Sequence, residues 1–210
     1  MNKTYDYNGV QIAPSRPVQK LTTVKKTVHI DSQVRDSVLF STSGNFVTYL
    51  PRVYENVVSI SIKQAEFPDP TTLLSFDRAN GATGSVSANY FFMDLGGLNK
   101  SDEGAIGADR SAFVDSSFAK FQLDSSSGPF FYTESSGAKL TEHFRPAISK
   151  LDRLQVRLRT HGQNKNQHIY WNNKNFSFTI EIETLENSFD DFSSMETRIG
   201  DRAGSGFFGV

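Results

Sequence analysis

Residues 176–183 are Phe176-Ser177-Phe178-Thr179-Ile180-Glu181-Ile182-Glu183, a strict alternation of apolar and polar side chains. Successive side chains of a β-strand point to opposite faces of the sheet. The alternation therefore places every apolar residue on one face and every polar residue on the other. A strand of this kind belongs to a sheet with one face in the core and one in water, which is typical of antiparallel sheets.

Other apolar stretches of the chain predict more strands. Residues 58–62 and 154–158 alternate in the same way, through Val58, Ile60 and Ile62 and through Leu154, Val156 and Leu158. Shorter apolar stretches lie at 27–30, 46–50, 90–95, 118–123 and 130–132. The sequence shows no amphipathic helix of three turns between them. About eight strands without interleaved helices predict an all-β protein, an antiparallel two-sheet sandwich of jelly-roll type with extended terminal arms.

Two Gly- and Ser-rich stretches, 80–85 and 124–128, are expected to be loops because they have almost no apolar side chain to pack. The chain divides into three predicted segments. Residues 27–186 form the β-sandwich domain, residues 1–26 an extended basic arm, and residues 187–210 a flexible Gly/Phe tail. An unstructured terminus remains the alternative for the arm, and docking onto its own domain remains the alternative for the tail.

The composition of the arm favours an extended segment that becomes ordered on a partner. It contains five Lys or Arg residues against Asp6 alone, a net charge of +5 − 1 = +4. Pro14 and Pro17 favour extended backbone and block a helix. The tail carries Phe207 and Phe208 among glycines, and exposed Phe pairs favour docking onto another surface.

The search for catalytic and metal-binding patterns leads to a prediction of no enzymatic activity, no cofactor and no metal. The chain has no Cys, which excludes a disulfide, a thiolate metal site and a Cys nucleophile. No serine lies in a Gly-x-Ser-x-Gly elbow, and no glycine-rich loop has the spacing of a phosphate-binding loop. His161 and His168 are interpreted as ordinary loop histidines, and His29 as a half-buried or edge-exposed strand residue.

Protein partners are expected rather than nucleic acid or membrane. The net charge is −1, which carries no nucleic-acid signature, and no apolar stretch approaches the length of a membrane helix. Arg157 and Arg159 are predicted on the outward face of one strand, either solvated or in contact with an acidic partner. The candidate partner-binding residues are Tyr5, Tyr7, Arg16, Lys25, Lys26, Arg157, Arg159, Phe207 and Phe208.

The chain resembles a minor capsid protein family of large nucleo-cytoplasmic DNA viruses, of the algal giant-virus type. The resemblance is carried by residues 31–36 (Asp-Ser-Gln-Val-Arg-Asp), 50–60 with 65–68, 148–154 and 176–183, and it covers about residues 27 to 186. It implies a jelly-roll β-sandwich and no catalytic residue. The implied partners are the major capsid protein and other capsid subunits, with self-association in the particle. The implied location is the virion, assembled in the host cytoplasm.

Two alternatives remain at this point. One is a jelly-roll vertex (penton) protein, and the other is a lectin-like module that binds host glycans. In the second, Tyr170 and Trp171 would form a stacking platform, with Asn172, Asn173 and Asn175 as hydrogen-bonding partners. A core or rim position for Trp171 is favoured over that platform.

Overall fold

The structure is a computed structural model, and it describes residues 4–5, 11–12, 21–98, 116–123, 128–134, 140–160, 163 and 166–187. The chain forms two compact units, one of Lys25–Thr184 and one of Met1–Val24 with Leu185–Val210. In the described ranges, the only helices are two 3-10 turns, Ser32–Val34 and Pro70–Thr72. All other regular structure there is antiparallel β, which confirms the predicted all-β class; the jelly-roll subtype stays a prediction.

Twelve strands follow one another in the part of the chain that the structure describes. They are β1 (Thr4–Tyr5), β2 (Gln11–Ile12), β3 (Leu21–Asp31), β4 (Asn45–Phe67), β5 (Leu73–Asp77), β6 (Gly81–Ser85), β7 (Tyr90–Leu95), β8 (Ala119–Gln122), β9 (Phe130–Thr133), β10 (Thr141–Arg159), β11 (Gln167–Trp171) and β12 (Ser177–Asn187). Strands β1 and β2 pair with each other. The remaining ten form a seven-stranded sheet and a three-stranded sheet.

The larger sheet is built around β4, which has 23 residues. Its strand order is β3-β12-β4-β10-β7-β8, and β9 pairs with the end of β4. Strand β10 extends along β4 from Arg157 opposite Asn45 to Thr141 opposite Ser61. The smaller sheet has the order β11-β5-β6, with Trp171 opposite Leu73. These registers bring residues that are 80 to 112 positions apart in sequence onto shared faces.

The core is rich in aromatic rings, and Phe67 lies at its centre. The Phe67 ring lies 4.9 Å from Phe91, 5.0 Å from Phe121 and 5.4 Å from Phe176, measured between ring centroids. The apolar members of the three alternating stretches are buried as predicted, apart from the half-buried Val58. Period-two alternation therefore identified most of the core of the larger sheet.

The structure corrects several element predictions. Residues 81–85 were expected to form a loop, but they form β6, which pairs with β5. The sequence pattern missed β5 and β11 because neither alternates clearly and because they pair with each other across 90 to 98 residues of sequence. Strand β3 begins at Leu21, inside the segment assigned to the arm. The other predicted loop, 124–128, lies outside the described residues except for Gly128.

Candidate protein-binding surface

The motif Asp31 to Asp36 forms a loop at the end of β3 whose shape is fixed by its own side chains. The Asp31 carboxylate accepts a 2.7 Å hydrogen bond from the Gln33 amide and so caps the 3-10 turn. Asp36 Oδ1 accepts from the amides of Val38 and Leu39, at 2.9 and 3.2 Å. Both carboxylates therefore satisfy backbone donors that the short turns leave unpaired.

Ser32 and Arg35 attach this loop to the start of β12. Ser32 is fully buried, and its hydroxyl accepts a 2.9 Å hydrogen bond from the Phe176 amide. The Arg35 guanidinium donates at 2.7 Å to the Ser32 carbonyl and at 2.7 Å to Asn175 Oδ1. Its Nε also donates to the Phe40 carbonyl at 3.2 Å. Arg35 thus links Ser32 and Phe40, at the two ends of the loop, to Asn175.

The loop presents three large apolar side chains to solvent. Val34 is 71% exposed, Val38 91% and Leu39 74%. We call residues 31–40 the display loop. Apolar side chains gain free energy when a partner covers them, and a loop that is already ordered loses little conformational entropy on binding. This geometry is suited to protein binding and contains no arrangement of reacting groups.

A polar cleft of about 300 Å³ adjoins the display loop. Leu39, Phe40 and Thr42 line one side, and Arg78, Asn166 and His168 are among the residues lining the rest. His168 is buried on β11, with its Nε2 atom 2.6 Å from Thr42 Oγ1. Burial, and to a smaller extent the charge of Arg157, lowers the pKa of His168 to about 4.

The interpretation of His168 as an ordinary loop histidine is wrong. This histidine is part of a strand, its ring centroid lies 4.9 Å from that of Phe76, and it is neutral at physiological pH. The polar residues around it in sequence resemble a turn, and no local signal marks the strand. His161 lies outside the described residues. His29 is exposed on β3, at the end of the strand order, as expected for an edge histidine.

Lys25, a predicted partner-binding residue, forms ion pairs within its own domain. Its Nζ lies 2.7 Å from Glu183 Oε1 and 3.4 Å from Glu181 Oε1, on the neighbouring strand β12. The hydrogen bonds from Lys25 and Ser59 lower the pKa of Glu183. Lys63 extends the network, with its Nζ 3.1 Å from Glu181 Oε1. Lys26 is half-buried on the same strand.

Arg159 is the clearest correction among the predicted site residues. It was expected on an outward face, but its side chain is only 3% exposed and its Nε donates to Asp94 Oδ2 at 2.6 Å. Its guanidinium also lies 5.2 Å from the Phe92 ring centroid. Arg157 is half-buried on the same strand, opposite Asn45 and Asp94. Arg159 is therefore an interior residue and not available to an acidic partner.

The remaining predicted site residues belong to the termini. Tyr5 falls in β1. Tyr7, Arg16, Phe207 and Phe208 lie outside the described residues. The display loop itself was not among the predicted site residues, although its motif had been noted. The exposed Val38 and Leu39 beside turn-forming residues were the signal that could have identified it.

Trp171 is buried, so the interpretation of this residue as a core residue is confirmed. It lies against Phe67, Phe91 and Phe176 and offers no face to a sugar. The platform required by the lectin-like alternative is therefore not present at Trp171.

Within the described ranges, no helix is long and apolar enough to cross a membrane. No group of three or more His, Cys, Asp or Glu residues in that same part of the chain could hold a metal ion. No protein-family model matches the chain, and no curated protein matches it.

Proposed function

We propose that this protein is a structural subunit of a large icosahedral DNA virus, a minor capsid protein that binds the major capsid protein and other capsid subunits. The observation that carries the proposal is the display loop, in which Asp31, Ser32, Arg35 and Asp36 hold Val34, Val38 and Leu39 in solvent. These polar side chains hydrogen-bond to backbone groups of the loop and of Phe176. The three apolar side chains remain exposed and can be covered by a partner.

One of the stretches that carry the family resemblance, residues 31–36, is also the motif that shapes this loop. Asp31, Ser32, Arg35 and Asp36 each make structural hydrogen bonds, and none is arranged for chemistry. A capsid subunit must contact many neighbours, and modest contacts at several sites add through avidity. An ordered apolar loop on an antiparallel β-body provides one such contact. The terminal arm and tail are further contact sites in this proposal.

The test is a double substitution at the loop tip, Val38→Glu with Leu39→Glu. Two charges at an apolar interface prevent its desolvation, so we expect at least a ten-fold loss of affinity for the capsid partner. Because both side chains are exposed, the thermal unfolding midpoint should stay close to that of the wild type. Binding to co-expressed capsid subunits and occupancy in assembled particles are the measurements.

Val53→Glu is the matched control, since Val53 is also an exposed valine but lies on β4 outside the loop. It should bind normally. Normal particle occupancy of the loop variant would contradict the role of the display loop. Deletion of residues 1–20, which precede β3, or of residues 188–210 should leave a folded body that is not incorporated. Cross-links mapped in the intact particle identify the neighbours.

A further inference from the structure

A second surface, at the end of β4, has the chemistry of a site for a proline-containing basic peptide. It is an open groove of about 380 Å³. Its apolar part includes Phe67, Pro68, Pro129 and Phe131, and its two charged lining residues are Asp31 and Glu66. We call it the β9 groove.

The strand registers explain why the apolar and acidic residues lie together. Glu66 on β4 is opposite Phe131 on β9 and also opposite Ser177 on β12. Directly opposed residues share a face of the sheet, so Phe131 and Glu66 are side by side at the surface. Phe131 is 63% exposed, which is unusual for a ring so close to the aromatic core. An aromatic side chain and a carboxylate are thereby both presented to solvent.

The charge of the groove favours a cationic ligand. Both Asp31 and Glu66 are exposed, and one oxygen of Asp31 is used by the Gln33 amide. Glu66 accepts a long 3.4 Å hydrogen bond from the Ser177 hydroxyl. Arg35, which lies near the groove, directs its guanidinium to Asn175 and to the Ser32 carbonyl. The acidic rim is therefore available to an incoming guanidinium, which binds carboxylates in a bidentate geometry.

We propose that the β9 groove binds residues 13–17, Ala-Pro-Ser-Arg-Pro, of a second copy of this chain. Pro14 and Pro17 are three residues apart, and a polyproline II helix has three residues per turn, so both rings lie on one edge. Aromatic-lined grooves bind such an edge at low entropic cost. In such a helix Arg16 would project from another edge, where its guanidinium would pair with the carboxylates of Glu66 and Asp31.

Chain length favours a second copy as the source of this segment. Strand β3 has ten residue steps between Leu21 and Asp31, about 33 Å at the usual rise of a strand. Arg16 precedes Leu21 by five residues, which span at most about 18 Å when fully extended. The segment of one copy is thus too short to return to the Asp31 end of its own β3.

This inference deepens the proposed subunit-binding role by naming one partner, a second copy. Its test needs only the purified full-length protein and no capsid partner. Self-association can therefore fail while binding to other capsid subunits is retained, and capsid binding can fail while self-association is retained. The test uses two charge-reversed variants, one in the segment and one in the groove. Arg16→Glu leaves an acidic segment facing an acidic groove, and Glu66→Arg leaves a basic segment facing a groove with no net negative charge, because Asp31 then stands beside an arginine.

Each single variant should lose at least ten-fold in self-association, measured by sedimentation over a concentration series. An equimolar mixture of the two variants should restore it, because the Arg16 segment of the Glu66→Arg copy then meets the acidic groove of the Arg16→Glu copy. Glu55→Arg, an exposed glutamate of β4 that does not line the groove, is the matched control and should associate normally. Restoration in the mixture would show that the contact forms between copies.

A second variant, Phe131→Gln, tests the apolar part of the groove without a change of charge. It should also weaken self-association while the far-ultraviolet circular dichroism and unfolding midpoint remain those of the wild type. Wild-type protein that stays monomeric up to its solubility limit would overturn the proposal. A mixture of the two charge variants that behaves as its separate components would overturn it as well.

Discussion

The rings of Phe67 and Trp171 stack with centroids 5.5 Å apart and planes inclined by 27°. Phe67 is the last residue of β4 in the seven-stranded sheet, and Trp171 is the last residue of β11 in the three-stranded sheet. Their contact joins the two sheets at the centre of the aromatic core. Both side chains are about 1% exposed, so the contact is fully desolvated.

Phe67→Ala should therefore destabilise the protein by about 3–5 kcal/mol, since it removes a buried ring that contacts several others. The single Trp of the chain is Trp171, so its fluorescence reports on this contact. We expect the emission of the folded variant to shift towards the red as the cavity loosens the packing of the indole ring. Urea unfolding followed by Trp emission measures both quantities.

Phe131→Ala is the control for that experiment, because the Phe131 ring is largely exposed. It should change the free energy of unfolding by less than about 1 kcal/mol. Equal effects of the two substitutions would contradict the central position of Phe67 in the core.

Gly44 is required where β11 crosses the start of β4. A Cβ atom at position 44 would lie 1.7 Å from the Ile169 carbonyl oxygen, which belongs to the backbone and cannot rotate away. The Gly44 carbonyl also accepts a 2.8 Å hydrogen bond from the Leu158 amide, so this backbone is held from two sides. Gly44→Ala should cost more than about 3 kcal/mol or prevent folding.

Gly96→Ala is the matched control for Gly44→Ala. A Cβ atom there would lie 3.0 Å from Gln155 Cβ and 3.1 Å from its Oε1, so a shift of a few tenths of an ångström relieves the contact, unlike the overlap with backbone at position 44. Thermal unfolding of both variants is the measurement. A Gly44→Ala variant as stable as Gly96→Ala would show that β11 does not approach β4 this closely.

His168 should make the stability depend on pH in a defined window. Its pKa is about 4 in the folded protein and about 6.5 in the unfolded chain, so the unfolded state binds its proton first as the pH falls. The contribution of the neutral His168 to the free energy of unfolding is fully present above pH 6.5 and is lost as the pH falls towards 4. The loss is of order 3 kcal/mol, from a depression of about 2.5 units.

His168→Asn removes this titration, so the free energy of unfolding should vary less between pH 6.5 and 4 than in the wild type. The lowered pKa of Glu183 acts in both proteins and cancels in the comparison. Urea denaturation at a series of pH values gives the two curves. Parallel curves would contradict the burial of a neutral His168.

The sequence predicted the strands that alternate, because alternation is a local property of a strand with one buried face. Phe176, Phe178, Ile180 and Ile182 are all buried, and each was assigned to the core from spacing alone. The same pattern correctly placed Arg159 on the face of β10 opposite to Leu154, Val156 and Leu158. It was wrong in predicting that this face is exposed to solvent at Arg159. Whether an outer face is covered depends on other strands, and Asp94 on β7 is 65 residues away in sequence.

The missed strands have the same explanation. Trp171 pairs with Leu73 across nearly a hundred residues, and neither β5 nor β11 has a sufficiently regular pattern to indicate a strand by itself. Residues 81–85 became a strand because β5 supplied its hydrogen-bonding partner, although their own composition favours a loop. Strand pairing at this separation is decided by the whole fold and not by local propensity.

By itself, the sequence determined that the protein is an all-β body with one apolar face per strand, since that information is local and has period two. The tertiary structure decided which polar residues are functional candidates. It paired Lys25 with Glu183, buried Arg159 against Asp94, and used Asp31 to Asp36 to hold Val38 and Leu39 in solvent. The physical reason is that exposure and charge pairing depend on neighbours that only folding brings together.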